Sequence, residues 1–405
     1  MAFHEDRLPL AVSLPIYLDN HATTRVDPRV VEVMLPYFLE HYGNAASISH
    51  RFGWDAADAV ARARSQLATA LNADPKEIIF TSGATESNNL AIKGVATASR
   101  RKGNHLVTAN SEHRSVLDPF RRLSREGWDV TIVPCDSSGQ VSPDSIAHAL
   151  NDRTTLVSVM IANNEVGTIN NVREIGRLCH ERGVLFHTDA TQAVGKLPID
   201  IEKDHIDLLS CSAHKIYGPK GIGALYLRRR DPLVRISPLF DGGGHERGFR
   251  SGTLPVPLIV GFGLAVELAM ASMSEESSRI LELRERLFAG ILTRISHVSL
   301  NGHPKLRLAG NLNLSFSYVD GEALMMAMRD VAVSSGSACT AANPEPSHVL
   351  TAMGLDEDSA RASLRFGLGR FTTAEEIDVT IDYLAKAVAN LRAQSAVWIE
   401  KTDFS

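Results

Sequence analysis

From about residue 78 to residue 227, short apolar runs broken by small or polar residues alternate with stretches of helical periodicity. Runs 78–80, 105–108, 130–133, 156–161, 184–187, 208–211 and 222–227 have strand length and the near-continuous apolar character of strands buried on both faces. Helices are predicted at 51–71, near 117–126, near 172–182, and onward from the turn Ser82-Gly83-Ala84-Thr85. Asp19-Asn20-His21-Ala22-Thr23-Thr24 is polar and turn-like, ahead of Pro28, which should open a helix. This alternation predicts an α/β class: a large, doubly wound, mostly parallel sheet with helices on both faces. Beyond Gly242-Gly243-Gly244 the pattern changes. Residues 255–294 read as one long helix, followed by short strands at 311–316, 331–334 and 364–366. A last helix opens with the capping box Thr373-Ala374-Glu375-Glu376 and carries Ile377, Ile381, Leu384, Val388 and Leu391 at helical spacing. This second part predicts a smaller α+β domain. The expected division is a leader at 1–16, a large domain at 17–255 and a C-terminal domain at 256–405. The N-terminal segment contributes to the C-terminal domain, which carries a loop at 334–350. No internal repeat or low-complexity segment is evident.

Two of the predicted strands end in residues with chemical use. Leu208-Leu209-Ser210-Cys211 runs into Ser212-Ala213-His214-Lys215, then into a Gly- and Pro-rich turn. A lysine at the end of a buried strand is costly unless paired or used, and one use is a Schiff base with a carbonyl cofactor. On a surface loop the same lysine would have no special role. Twenty-six residues earlier, Val184-Leu185-Phe186-His187-Thr188-Asp189 ends in a carboxylate. Alone, Asp189 also suits a helix N-cap. With Lys215 it reads as a carboxylate for a protonated ring nitrogen, which keeps a pyridoxal ring an electron sink. Lys220 is the nearby competitor of Lys215, and the Gly-Pro turn is expected to point it elsewhere. A phosphate wants backbone N–H groups at a helix start, which Ser82-Gly83-Ala84-Thr85 offers, the Thr85 hydroxyl adding a donor.

His187 to Gln192 together with Ser212 to Lys215 resemble the fold-type I pyridoxal-phosphate enzymes, and more closely the class-I cysteine desulfurases of the NifS/IscS type. Further matching stretches are 17–24, Phe80 to Ser87, Asn163-Asn164-Glu165, Gly242 to Arg247, Arg250-Ser251-Gly252-Thr253, Ser334-Ser335-Gly336-Ser337-Ala338-Cys339-Thr340 and Arg365 to Phe371. The resemblance runs from about Tyr17 to Trp398. It implies pyridoxal 5'-phosphate as cofactor, with Lys215 as its covalent anchor and proton shuttle and Asp189 on the ring nitrogen. Gln192 would meet the ring hydroxyl, and Ala84, Thr85, Ser212 and His214 the phosphate. His113 would stack on the ring and move protons. A lone histidine is otherwise a structural residue. Asn164 would sit beside the ring and, with Arg365, face the substrate carboxylate, for which a guanidinium is suited by bidentate pairing. Arg365 read alone also fits the surface end of a strand. Thr253 would reach the phosphate of a second subunit, which implies a homodimer.

Cys339 separates desulfuration from transamination. Its surroundings are small and polar, so the thiol is expected to be exposed on a loop, able to attack the sulfur of bound L-cysteine and hold it as a persulfide. Cys135, Cys179 and Cys211 lie in apolar runs and fit buried, structural roles. The implied function is a cysteine desulfurase passing sulfur to an acceptor protein in iron–sulfur cluster assembly, tRNA thiolation or another sulfur-modification pathway. Selenocysteine lyase or another pyridoxal-phosphate lyase is the alternative within enzymes, and a non-catalytic sulfur-relay or scaffold protein the alternative outside them. No resident metal is expected, although Cys339 is placed to ligate an iron–sulfur cluster in transit. Pro344 and His348 stand where family members often carry Leu and Tyr.

Composition adds bounds. The chain has 405 residues, 44% hydrophobic and 22% charged, with a net charge of −5 and no block of like charge. That is ordinary for a globular enzyme and argues against a nucleic-acid surface. The four cysteines have no CxxC spacing, so neither a zinc site nor a disulfide framework is read. Residues 1–15 lack a basic region followed by an apolar core, and no run of about 18 apolar residues is seen, so neither a secretion signal nor a membrane span is expected. A cytoplasmic, reducing compartment fits. The ending at Ser405, soon after Trp398, leaves the acceptor open, because housekeeping members often carry a longer docking tail.

Overall fold

The structure, a computed structural model, describes residues 12–335, 346–395 and 398. Its strands are β1 (Ile16–Tyr17), β2 (Ile78–Thr81), β3 (His105–Ala109), β4 (Asp129–Val133), β5 (Thr154–Ser158), β6 (Leu185–Asp189), β7 (Leu208–Ser212), β8 (Gly223–Leu227), β9 (Val298–Asn301), β10 (Asn311–Phe316), β11 (Val331–Ala332) and β12 (Ser363–Gly367). Its α-helices are α1 (Pro28–Met34), α2 (Pro36–Leu39), α3 (Arg51–Leu71), α4 (Ala84–Ser99), α5 (Arg114–Arg125), α6 (Pro143–Ala149), α7 (Val172–Glu181), α8 (Val256–Arg294), α9 (Gly321–Ala327), α10 (His348–Ala352), α11 (Glu357–Arg361) and α12 (Ala374–Ala393).

Seven strands form one sheet in the order β2-β8-β7-β6-β5-β3-β4. All neighbours pair parallel except β8, which is antiparallel to both β2 and β7. Because side chains alternate across a strand, each strand feeds two cores. Ile78, Phe80, Val107, Phe186, Leu209 and Tyr226 join a large core with α3, α7 and the start of α8. Ile79, Leu106, Leu156, Leu185, Leu208 and Leu225 join a second core with α4 and α5 on the other face. Burial on both sides is the reason these strands read as apolar runs rather than alternating ones.

The small sheet, β12-β10-β9, is antiparallel and packs with α12 and the second half of α8. Ile16 and Leu18 lie in this core too, and β1 pairs parallel with β11. The N-terminal segment is thereby stitched to the C-terminal part, and Ile16, assigned to a leader, is a fully buried strand residue. Helix α8 links the cores: Val256, Ile259, Phe262 and Val266 enter the large one, Ile280, Leu283, Leu287 and Ile291 the small one. The boundary expected at 255 therefore falls at the first turn of a helix shared by both. By length and hydropathy α8 is also apolar enough to cross a membrane, although it holds no uninterrupted run of about 18 apolar residues. Its apolar first half is interrupted by Pro257 and Glu267, and most of its large apolar residues pack into these two cores, Leu281 and Leu292 remaining exposed. α3 and α8 approach closely at Gly263, where a Cβ would meet the Cα of Ala63 at 2.8 Å.

Candidate active site

The carboxyl ends of β2, β5, β6 and β7 open onto one cavity of about 490 Å³. This is the edge at which open parallel sheets bind ligands. Ala84, Thr85, His113, Asn164, Asp189, Gln192, Ser212, His214, Lys215 and Arg365 all line it. So do His21, Met160, Thr191 and Lys220, to which the sequence reading gave no role. Lys220 was expected to point away. The turn reverses at Gly221 (φ 88) and returns Lys220 to the rim. Thr253 is exposed and is not among the lining residues of its own chain. Cys339 lies outside the described residues.

One end of the cavity is a helix start. Gly83, with φ 153, is the N-cap of α4 and presents no side-chain acceptor to the N–H groups of the first turn. Those groups, the Thr85 and Ser212 hydroxyls and the His214 ring form a donor set that fits a phosphate. Nδ1 of His214 lies 3.1 Å from Thr23 Oγ1. Burial, with Lys215, Lys220 and Lys196 nearby, pulls its ring down to about 4.

The other anchors sit deeper. Asp189 accepts hydrogen bonds from the Thr191 amide at 2.9 Å and from Asn88 Nδ2 at 2.8 Å, one on each carboxylate oxygen. Each oxygen keeps lone-pair capacity, as a carboxylate serving a protonated ring nitrogen requires. The Lys215 ammonium donates to the carbonyls of His21 at 2.5 Å and Ala22 at 2.6 Å. His113 caps α5 with Nδ1, which accepts from the Ser115 amide at 3.1 Å and lies 2.7 Å from Ser115 Oγ. Gln192 donates from Nε2 to the His21 carbonyl, while its Oε1 accepts from Lys196 at 3.2 Å and meets His21 Nδ1 at 3.0 Å. One Nε2 proton remains for a ring oxygen. Burial lowers Lys196 to about 8.

Arg365 is no surface arginine: its side chain is 1% exposed. Nη1 donates to the Asn164 carbonyl at 2.8 Å, and Nη2 to Asp19 at 2.8 Å and Ser334 at 3.0 Å, while Nε is buried without a partner. Cys135, Cys179 and Cys211 are buried. Burial raises all three thiols, Cys211 to about 12, which leaves each a poor thiolate.

A half-buried lysine held at a strand end, a carboxylate with open lone pairs and an uncapped helix start around one cavity define a pyridoxal-phosphate enzyme of fold-type I. The aminotransferase class-V model matches residues 16–379, and the chain belongs to that family. It is 55% identical over 387 residues to cysteine desulfurase IscS of Anaeromyxobacter sp. (strain Fw109-5), covering 96% of each. With cysteine desulfurase IscS of Rickettsia peacockii (strain Rustic) it shares 52% identity over 96% of this chain and 94% of the other. Among solved structures, a NifS-like protein superposes with a TM-score of 0.87 at 38% identity, covering 93% of this chain and all of that one. SspA in complex with cysteine gives 0.78 at 39% identity over 88% and 100%.

Proposed function

We propose that this protein is a cysteine desulfurase that converts L-cysteine to L-alanine and leaves the sulfur as a persulfide on Cys339. The observation that carries the reading is the convergence of Lys215, Asp189, His113 and Arg365 in one cavity of a chain 55% identical to a cysteine desulfurase. Bound pyridoxal phosphate supplies an electron sink for the bonds at the substrate's α and β carbons. Ala84, Thr85, Ser212 and His214 hold its phosphate, Asp189 its ring nitrogen, Gln192 its ring oxygen and His113 its face. Arg365 and Asn164 orient the substrate carboxylate. Lys215 takes the substrate's α-proton and returns it. The Cys339 thiolate attacks the substrate sulfur, the new S–S bond forms as the Cβ–S bond breaks, and a proton completes alanine. An acceptor thiol then takes the terminal sulfur from Cys339.

The chain divides functionally into a cofactor-binding part at 17–255 and a part at 256–405 that supplies Arg365 and Cys339. A homodimer is supported by exposed apolar residues in one stretch, including Leu39 (73%), Tyr42, Ile48 (87%) and Trp54, and by Thr253 lying apart from its own cavity. A cytoplasmic location fits this chemistry, since free thiols persist there.

The test is mass spectrometry after a single turnover, with Cys339→Ser in parallel. The sulfur should appear on Cys339, and the variant should bind cofactor and cysteine but release almost no alanine. Sulfur on Cys135, Cys179 or Cys211, with an active variant, overturns the assignment.

A further inference from the structure

We propose that Asn88 is a positioning residue for the cofactor and its acid–base partner: it fixes the Asp189 carboxylate and turns the Ser115 hydroxyl onto Nδ1 of His113. Asn88 is fully buried on α4, one turn beyond Ala84. Its Nδ2 donates 2.8 Å bonds in two directions, to Asp189 Oδ2 and to Ser115 Oγ. A carboxylate offers only acceptors, so the amide nitrogen must face Asp189 and the amide cannot be reversed. The second Nδ2 proton occupies a lone pair of Ser115 Oγ. The serine's own proton is then free to run to His113 Nδ1, 2.7 Å away. The Ser115 backbone amide donates to the same nitrogen at 3.1 Å. With Nδ1 an acceptor, the neutral imidazole carries its proton on Nε2.

Asn88 Oδ1 is buried with no hydrogen-bond partner. An asparagine at this site therefore leaves an acceptor unpaired, a cost that an apolar side chain would not incur. Only the donor half of the amide is used, and both of its protons serve cavity residues. The helix that carries it starts with the phosphate turn. That turn is braced by Ser87 Oγ, which donates to the Gly83 carbonyl at 3.2 Å and lies 2.7 Å from Thr81 Oγ1. One rigid helix thus sets the separation between the phosphate end of the cavity and the carboxylate at its far end.

This inference rests on the assignment of Asp189 to the ring nitrogen, and the test separates the two. Asn88→Leu, Asn88→Asp, Ser115→Ala and Asp189→Asn are compared by cofactor dissociation constant, by pH titration of the cofactor's visible band, and by nitrogen NMR of labelled histidine in cofactor-free and loaded protein. Losing a hydrogen bond to a charged group predicts roughly ten- to hundred-fold weaker cofactor binding in Asn88→Leu. Asn88→Asp, which keeps the shape but sets a second carboxylate against Asp189, should shift the band's titration midpoint as well. Ser115→Ala keeps the backbone amide on Nδ1, so it should retain the cofactor affinity and the Nε2–H tautomer of His113 but shift the Nδ1 resonance, as one of its two donors is lost. Should Asp189→Asn weaken binding while both Asn88 variants match the parent in affinity and titration, the inference falls and the Asp189 assignment stands. Should Asp189→Asn itself leave both unchanged, both fall.

Discussion

Arg365 on β12 and Asp19 just beyond β1 form a 2.8 Å ion pair, although 346 positions separate them in the chain. Asp19 also accepts from Ser334 at 2.8 Å, so one carboxylate holds the arginine and the residue beside it. The guanidinium is fixed before substrate arrives, which lowers the entropy lost on binding.

Arg365→Ala should therefore keep the cofactor spectrum and lose saturation by cysteine, costing about 2–5 kcal/mol in kcat/KM. Asp19→Asn keeps the shape and weakens the pair, so KM should rise several-fold with kcat little changed. Unchanged KM in both variants would show that Arg365 does not face the substrate carboxylate.

The return of Lys220 to the cavity rim makes the cofactor linkage a choice between two amines. Lys215 is held at the end of β7 by two carbonyls, whereas Lys220 is exposed. Borohydride treatment of the loaded protein, followed by peptide mapping, should mark Lys215 alone. Lys215→Ala should take up no reducible cofactor, and Lys220→Ala should take it up fully. A label on Lys220 in the parent protein would reverse the assignment.

These results also show what local pattern can convey. β10 was expected at 311–316 and spans Asn311–Phe316, because its six residues are all buried and its length is fixed by pairing on both sides. β6 was expected to end at His187 but continues to Asp189. Asp189 pairs with Ser210 through its backbone whatever its side chain, so the strand runs on past the point where the apolar run stops. α6 buries only Ile146 among seven residues, and α10 and α11 have five residues each, too few for periodicity to register. β9 is a four-residue edge strand with one buried side chain. The lining residues Asp189 and Lys215 were legible because each follows an apolar run of strand length, whereas Gln192 was reached only through the family resemblance. Asn88 and the Arg365–Asp19 pair were not, since their meaning lies in contacts between distant segments.

The half-buried His214 ring gives the cofactor-free protein an acid limb. Its folded value of about 4 lies below the usual 6.5. Between those values the unfolded state binds more protons, so stability falls as pH drops from 6.5 to 4 and levels off below. Solvent at the partly exposed ring reduces the full linkage, leaving a loss of about 1–2 kcal/mol. Denaturant melts of cofactor-free His214→Gln should show that much less decline across the window. Saturating cofactor should flatten the parent's curve too, because a phosphate dianion beside the ring raises its value. A parent curve that saturating cofactor leaves unchanged would remove His214 from the phosphate site.

The exposed stretch around Ile48 tests the dimer and its role together. Leu35, Phe38, Leu39, Tyr42, Ile48, Phe52 and Trp54 expose large apolar side chains within twenty residues, far more than scattered surface residues would. Covering them removes apolar surface from water and stabilises by about 25 cal/mol per Å² before the cost of association. A Leu39→Glu/Ile48→Glu double variant should elute as a monomer by light scattering while the parent elutes as a dimer. If Thr253 completes the partner's phosphate site, that monomer should also bind cofactor roughly ten-fold more weakly, as loss of one hydrogen bond to a charged group predicts. Thr253→Ala in the dimer should reproduce the weaker binding without changing mass. A double variant that stays dimeric would move the interface elsewhere, and a monomer with full cofactor affinity would separate Thr253 from the phosphate.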